Sequence, residues 1–152
     1  MSSAEFTSYR DRIIPAVAAQ CVQVQGWNPD HAHTLAARVI DNALPAGLRT
    51  PGMLLLVAEN EYREYVGDIW IALDQSRPGN ACLQEIEIMP EHRHKGYGYA
   101  LAEAAAEQAR QLGANTITGQ VLATNEIMRH AAEAAGYEVI AVIVRKSLGQ
   151  AG

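Results

Sequence analysis

No stretch of this sequence approaches the ~18 consecutive apolar residues of a membrane-spanning helix, and no basic-then-apolar leader opens it. The expectation is a cytoplasmic protein without a membrane partner. There are only 2 cysteines, Cys21 and Cys82, and they lack the spacing of paired metal ligands. Free thiols in a reducing compartment, and no metal, follow as the expectation. Charged residues make up 19% of the chain and the formal net charge is −5, which argues against nucleic acid and for a cationic partner such as an amine. His31 and His33 stand two apart, face different ways on a helix, and make poor joint ligands. No repeat, low-complexity tract or linker divides the 152 residues, so a single domain, 1–152, is expected.

What is present centres on Ile86 to Leu101. Ile86 and Ile88 alternate with Glu85 and Glu87 as a strand does, and Pro90, without an N–H, ends the ladder. A polar run to Gly96 follows, and an alanine-rich helical pattern starts near Tyr97. Strand, short polar loop and helix leave bare N–H groups at the helix start, where an anion binds. Gly96 and Gly98 let the backbone approach closely, and Arg93 and Lys95 add positive charge. This reads as a diphosphate cradle. The alternative is a plain strand–helix loop, since a lone Gly-x-Gly is weak. The Rossmann fingerprint needs a third glycine where Leu101 stands, and a Walker A loop is missing.

Around this stretch the pattern predicts a helix over Glu5 to Val24 with a kink or break at Pro15, and a second from Asp30 to Leu44. The second helix should be apolar along Leu35, Val39, Ile40 and Ala43. Strands are predicted at Met53–Ala58, Tyr65–Leu73, Ala81–Met89, Asn115–Leu122 and Val139–Leu148, with helices at Tyr97–Gly113 and Asn125–Ala135. The order α-α-β-β-β-α-β-α-β implies an α/β (α+β) fold. Its sheet is mixed and mostly antiparallel, with one parallel βαβ pairing and about four flanking helices.

Arg93-His94-Lys95-Gly96-Tyr97-Gly98 matches [Q/R]-x-x-G-x-[G/A] after a strand and before a helix, with Asn125 one βα unit later and Gly136-Tyr137 closing the next helix. With Leu44 to Thr50, Val66 to Trp70 and Arg145 to Leu148, nearly the whole chain resembles the GNAT superfamily of acetyl-CoA-dependent N-acetyltransferases, in a bacterial branch. The resemblance implies that Arg93, His94, Lys95, Gly96, Tyr97, Gly98 and Tyr99 hold the coenzyme A pyrophosphate through backbone amides. It implies that the backbone of Ile86, Glu87 and Ile88 pairs with the pantetheine arm, between strands that splay apart, and that Asn125 contacts the arm near its thiol. The Ile88 amide is then the donor to the thioester carbonyl. Glu85 and Glu87 are the carboxylates nearest that thioester and the candidate bases, against the plainer reading of a solvated strand face.

Three departures stand out. His94 replaces a common glycine. Gln120 stands where some relatives carry a base, and Ala132 where many carry a tyrosine acid. The sheet also lacks the usual strand before the first helix, an open edge that a second subunit would cover, so a homodimer is expected. The function implied is transfer of an acetyl group from acetyl-CoA to a primary amine of a small molecule, peptide or protein, by direct attack in a ternary complex. The alternative, which Gln120 and Ala132 keep open, is an acyl-CoA-binding sensor or structural partner with little transferase activity.

Overall fold

The computed structural model describes residues 1–149. Two helices come first. Helix α1, Ser3–Gln25, opens on a capping box: the Ser2 hydroxyl accepts the Glu5 N–H at 3.3 Å and the Glu5 carboxylate accepts the Ser2 N–H at 2.5 Å. It ends where Gly26 turns left-handed at φ 70°. Pro15 lies inside it, and the helix is continuous through that residue rather than broken. Helix α2, Pro29–Ala43, is capped by Asn28, whose side chain accepts the Asp30 N–H at 2.9 Å, with Pro29 in the first turn.

The buried side of α2 differs from the expected one. Ala32, Ala36 and Ile40 face inward, while Leu35 and Val39 are exposed. The small side chains of Ala32 and Ala36, at i and i+4, let α2 lie close against α1, and close packing decides the face over side-chain hydrophobicity. Tyr9, Ile13, Ile14 and Ala18 of α1 complete this interface over Leu55 and Trp70 of the sheet.

Strands β1 (Met53–Glu59), β2 (Tyr65–Leu73) and β3 (Asn80–Ile88) form an antiparallel meander, and β4 (Thr116–Gly119) adds parallel to β3. The order β1-β2-β3-β4 leaves β1 and β4 as edges. Helix α3, Tyr97–Gln111, crosses from β3 to β4 on the opposite face from α1, burying Leu101, Ala105 and Ala109 against Ile69, Ile71 and Ala81. Helix α4, Glu126–Ala134, packs along α3, and the Tyr137 hydroxyl donates to the Ala102 carbonyl at 3.1 Å. The fold is thus the mixed α/β arrangement expected.

Two predicted strands differ. Asn115–Leu122 shortens to Thr116–Gly119, because β4 diverges from β3 after Leu83↔Gly119. Val139–Leu148 forms no strand: the residues run as an exposed arm, tied back by the Arg145 guanidinium donating to the Gln23 and Val24 carbonyls at 3.0 and 2.7 Å. No backbone bond joins the arm to either free sheet edge among the described residues, and propensity alone does not make a ladder.

Candidate active site

The site lies where β3 outruns β4. The last β3–β4 pair is Leu83↔Gly119, yet β3 continues to Ile88, paired with β2 on its other side only. Residues Gln84 to Ile88 therefore offer a free backbone edge along a wedge between the two strands. A bulge sharpens this. Trp70 pairs with Glu85 but Ile71 with Leu83, so Gln84 is extra on β3 and the strand bends there.

The bulge also sets which way the carboxylates face. Ile86 and Ile88 turn toward α3. Glu85 and Glu87 turn toward α1, opposite Trp70 and Asp68 of β2. There they meet a polar cluster inside otherwise apolar packing. The Arg12 guanidinium of α1 donates to Asp68 Oδ2 at 2.5 Å, to Glu87 Oε2 at 3.3 Å and to the Tyr65 hydroxyl at 2.7 Å, and the Tyr65 hydroxyl donates to Asp68 Oδ2 at 2.5 Å. Asp68 is 1% exposed. Asp68 Oδ1 and the buried Tyr9 hydroxyl have no hydrogen-bond partner among the described residues.

The two glutamates are thereby made unequal. Glu87 is ion-paired to Arg12. Glu85 lacks such a partner; burial, and secondarily the charge of Glu87, push its carboxyl up to about 7. Burial first, then the bond to Asp68, pushes the Tyr65 phenol well above its ordinary range. Burial, then the charge of Glu85, does the same for Tyr9. Both phenols are therefore held protonated at neutral pH.

At the end of β3 a 3-10 turn, Pro90–His92, leads into the loop. Arg93 Nε donates to the Ile88 carbonyl at 3.1 Å, so this side chain closes the loop over the strand end. His94 takes φ 60° and Gly96 φ 85°. Helix α3 then starts on Gly96 without any side-chain cap, whereas α1, α2 and α4 are each capped by Ser2, Asn28 and Asn125. The first N–H groups of α3 are the ones left for an outside acceptor. A Cβ at Gly96 would meet nothing within 4 Å. A Cβ at Gly98 would instead point at α4, 3.5 Å from the Ala131 Cβ and 3.8 Å from the Met128 sulfur. Tyr97 packs under the loop, edge-on to His92, while Tyr99 and Lys95 are exposed.

Asn125 is the N-cap of α4: its side-chain oxygen accepts the Met128 N–H at 3.1 Å, which leaves its amide NH₂ for other contacts. Tyr137 is tied to α3 through Ala102, a packing role. His31 and His33 are exposed, and no cluster suited to a metal exists among the described residues.

Three side chains of this site, Arg12, Tyr65 and Asp68, were not anticipated from sequence. Asp68 had a legible signal: a carboxylate inside Val66-Gly67-Asp68-Ile69-Trp70, an otherwise apolar strand, requires a buried partner. Gly67 beside it is required by space, since a Cβ there would strike the Glu87 carbonyl. Arg12 had none, because its role depends on α1 crossing β2 and β3.

His94 supplies a direct check on the loop. A non-glycine residue at φ 60° carries about 1–2 kcal/mol of strain, and glycine loses roughly half of that gain to unfolded-chain entropy. His94→Gly is expected to raise stability by about 0.5 kcal/mol in urea unfolding. A lower midpoint would contradict the left-handed placement.

A sheet that opens beside an uncapped helix start, with two helices across one face, defines an acetyltransferase-type fold. The chain belongs to the acetyltransferase (GNAT) family, whose model matches residues 20–137. It is 28% identical over 149 residues to YycN of Bacillus subtilis, an uncharacterized N-acetyltransferase, covering 97% of this chain and 96% of that one. The crystal structure of YycN, titled a putative acetyltransferase, superposes with a TM-score of 0.91 over 99% of this chain and 96% of that one. YdgE of the same organism, also an uncharacterized N-acetyltransferase, is 24% identical over 149 residues, 97% of this chain and 95% of its own.

Proposed function

We propose that this acetyltransferase takes acetyl-CoA as donor and a primary amine as acceptor, in one ternary complex. The observation that carries the reading is Glu85: a carboxyl with its pKa near 7, unpaired, on the segment of β3 that β4 leaves free. A group poised there takes a proton from an incoming ammonium at neutral pH. The uncapped start of α3, with open space at Gly96, fits a pyrophosphate, and the free edge of Glu85 to Ile88 fits an extended amide arm.

The thioester supplies the acyl group and a thiolate leaving group. The chain's part is as follows. The Arg93 to Tyr99 loop holds the diphosphate by its N–H groups. Ile86, Glu87 and Ile88 align the arm, and the Ile88 N–H stands ready for the oxyanion as the amine nitrogen bonds to the carbonyl carbon and the C–S bond breaks. Asn125 steadies the thiol end through its NH₂ group. Glu85 receives the amine's proton, directly or through a water, and Glu87, held by Arg12, keeps Glu85 hard to ionise. With Ala132 in place of a tyrosine, the leaving thiolate takes its proton from water. A thiol pKa of about 8.5 makes that tolerable.

The test is calorimetric titration of acetyl-CoA into the native chain and Gly96→Asp. The space at residue 96 is open, so the side chain meets no clash beyond the cost of its left-handed backbone, and a negative charge there would oppose a bound diphosphate by roughly 1–2 kcal/mol in a largely solvated site. Micromolar binding by the native chain, weakened about tenfold in a variant that still melts cooperatively, supports the reading. Equal binding by both places the cofactor elsewhere.

A further inference from the structure

Tyr9 is a buried phenol that the catalytic steps leave idle. It is 1% exposed, stands on α1 three residues before Arg12, and its hydroxyl has no hydrogen-bond partner among the described residues. An oxygen of the same polar cluster is in the same condition. Both donors that reach Asp68, the Arg12 guanidinium and the Tyr65 hydroxyl, land on Oδ2, so Oδ1 is buried without a donor. Folded proteins seldom leave a buried phenol or carboxylate oxygen unmatched, because the lost hydration is not recovered. The two oxygens do not bond each other, yet they are of opposite kind: Tyr9 has a proton to donate, and Asp68 Oδ1 accepts.

The third group in this corner is Glu85. Asp68 stands opposite Glu87 and Trp70 opposite Glu85, so Glu85 and Asp68 are diagonal neighbours on the face that α1 covers. Diagonal residues of an antiparallel pair are about 7–8 Å apart, a separation that two carboxylates bridge through one water. Burial raises the Tyr9 phenol first, and then the charges of Glu85, Asp68 and Glu87 in that order, so Glu85 and Asp68 are foremost among the charges around it.

We propose that Tyr9 is a positioning residue for Glu85: its hydroxyl donates to one buried water, which donates in turn to Asp68 Oδ1 and to the Glu85 carboxylate. Three partners are what a buried water ordinarily has, and this arrangement satisfies both unmatched oxygens at once. The water steadies Glu85 in its charged form, the form that takes a proton from the amine. The other groups facing Glu85 do not. Glu87 on β3 and Asp68 on β2 repel its charge, Arg12 on α1 is engaged by Glu87 and Asp68, and the Tyr65 hydroxyl donates to Asp68. The effect on rate rests on Glu85 being the base; the water and the Glu85 titration are read without turnover.

Tyr9→Phe keeps the ring in the packing of α1 and removes the donor. Carboxyl-carbon NMR is expected to place the Glu85 titration about one unit higher in the variant than in the native chain, because the charged form loses a held donor. The native-to-variant ratio of kcat/KM, in which the acceptor cancels, should then be about tenfold below pH 7 and approach one above about pH 9. The urea midpoint should fall, since a bonded hydroxyl is lost; removing an idle one would raise it. A crystal structure of the native chain, which does not depend on how the variant folds, should show an ordered water within hydrogen-bond reach of Tyr9, Asp68 and Glu85. A dry corner, an unmoved Glu85 titration or a raised midpoint each overturns the proposal. A shifted titration with a pH-independent ratio supports the water and overturns Glu85 as base instead.

Discussion

Glu85→Gln is expected to lower the acetylation rate about 10²–10⁴-fold at pH 7–8, the usual contribution of a positioned base, while making the protein more stable. Rate and stability move in opposite directions because the same burial drives both. The Glu85 carboxyl titrates near 7 in the folded chain against 4.5 ordinarily, owing to burial and then to Glu87. Between those two values the folded state holds a proton that the unfolded state has lost, so native stability falls as pH rises from about 4.5 to 7 and stays lowered above it. At pH 8 the charged group opposes folding by about 3 kcal/mol. Glutamine carries no charge, yet it buries an amide, so a net gain of about 1–2 kcal/mol is expected, or roughly 3–6 °C in Tm. Below pH 5 the gain should vanish. The amine ionises as well, so the informative quantity is the ratio of native to variant kcat/KM, in which the acceptor cancels. It should fall tenfold per unit below pH 7 and level off above. A pH-independent ratio would falsify the assignment of Glu85 as base, whatever the size of the rate loss.

How much of this was legible beforehand depends on whether the signal was local. Pro90, Gly96 and the alanine-rich run after Tyr97 are local, and strand, loop and helix fall where they predict, to within a residue or two. The splay of β3 from β4 was expected only from resemblance; the four-residue length of β4 is its physical form. Non-local features were misread. Leu35 and Val39 have more apolar area than Ala32 and Ala36, but the close approach of α1 selects the small residues for burial. The arm 139–148 has every local property of a strand, yet among the described residues it makes no ladder in its own chain. The notable omission, Asp68 with Arg12, joins residues 56 apart across a helix–sheet contact, and no periodicity reports on such a pair. Glu85 and Glu87 were placed on one face by alternation, but that Arg12 reaches only Glu87, and that burial then raises the Glu85 carboxyl, depends on how α1 packs across the sheet.

That pairing has an energetic consequence of its own. Arg12→Met is expected to cost about 3 kcal/mol at neutral pH, among the largest effects of any single exchange outside the core. The side chain removed is 32% exposed, but the partner it leaves, Asp68, is 1% exposed. An unpaired carboxylate enclosed between α1 and β2 costs about 3–5 kcal/mol where both partners are dry; the partial solvation of Arg12 places this case at the lower end. Tyr65 still donates to Asp68 Oδ2, yet Oδ1 is already without a partner, so one hydroxyl is left to satisfy the whole carboxylate. The second arm of the cycle is Asp68→Asn. In the Arg12→Met background it should restore about 2 kcal/mol, because a neutral amide can be buried beside Tyr65 far more cheaply than a charge. In the native background it should instead be destabilising, since it strands the Arg12 charge against one remaining carboxylate, Glu87. A coupling of about 2 kcal/mol or more across the urea-denaturation cycle therefore marks Arg12 and Asp68 as a unit. Additive effects would mean that Arg12 stabilises the chain through contacts other than Asp68, such as its guanidinium over the Tyr65 ring, 5.8 Å from the ring centroid. The single variants also differ in what they do to Glu87. Arg12→Met frees its carboxylate from the ion pair, while Asp68→Asn leaves that pair in place. Catalysis should suffer more in the first, beyond what stability accounts for, because Arg12 is what holds one negative charge beside Glu85 and keeps the two glutamates unequal.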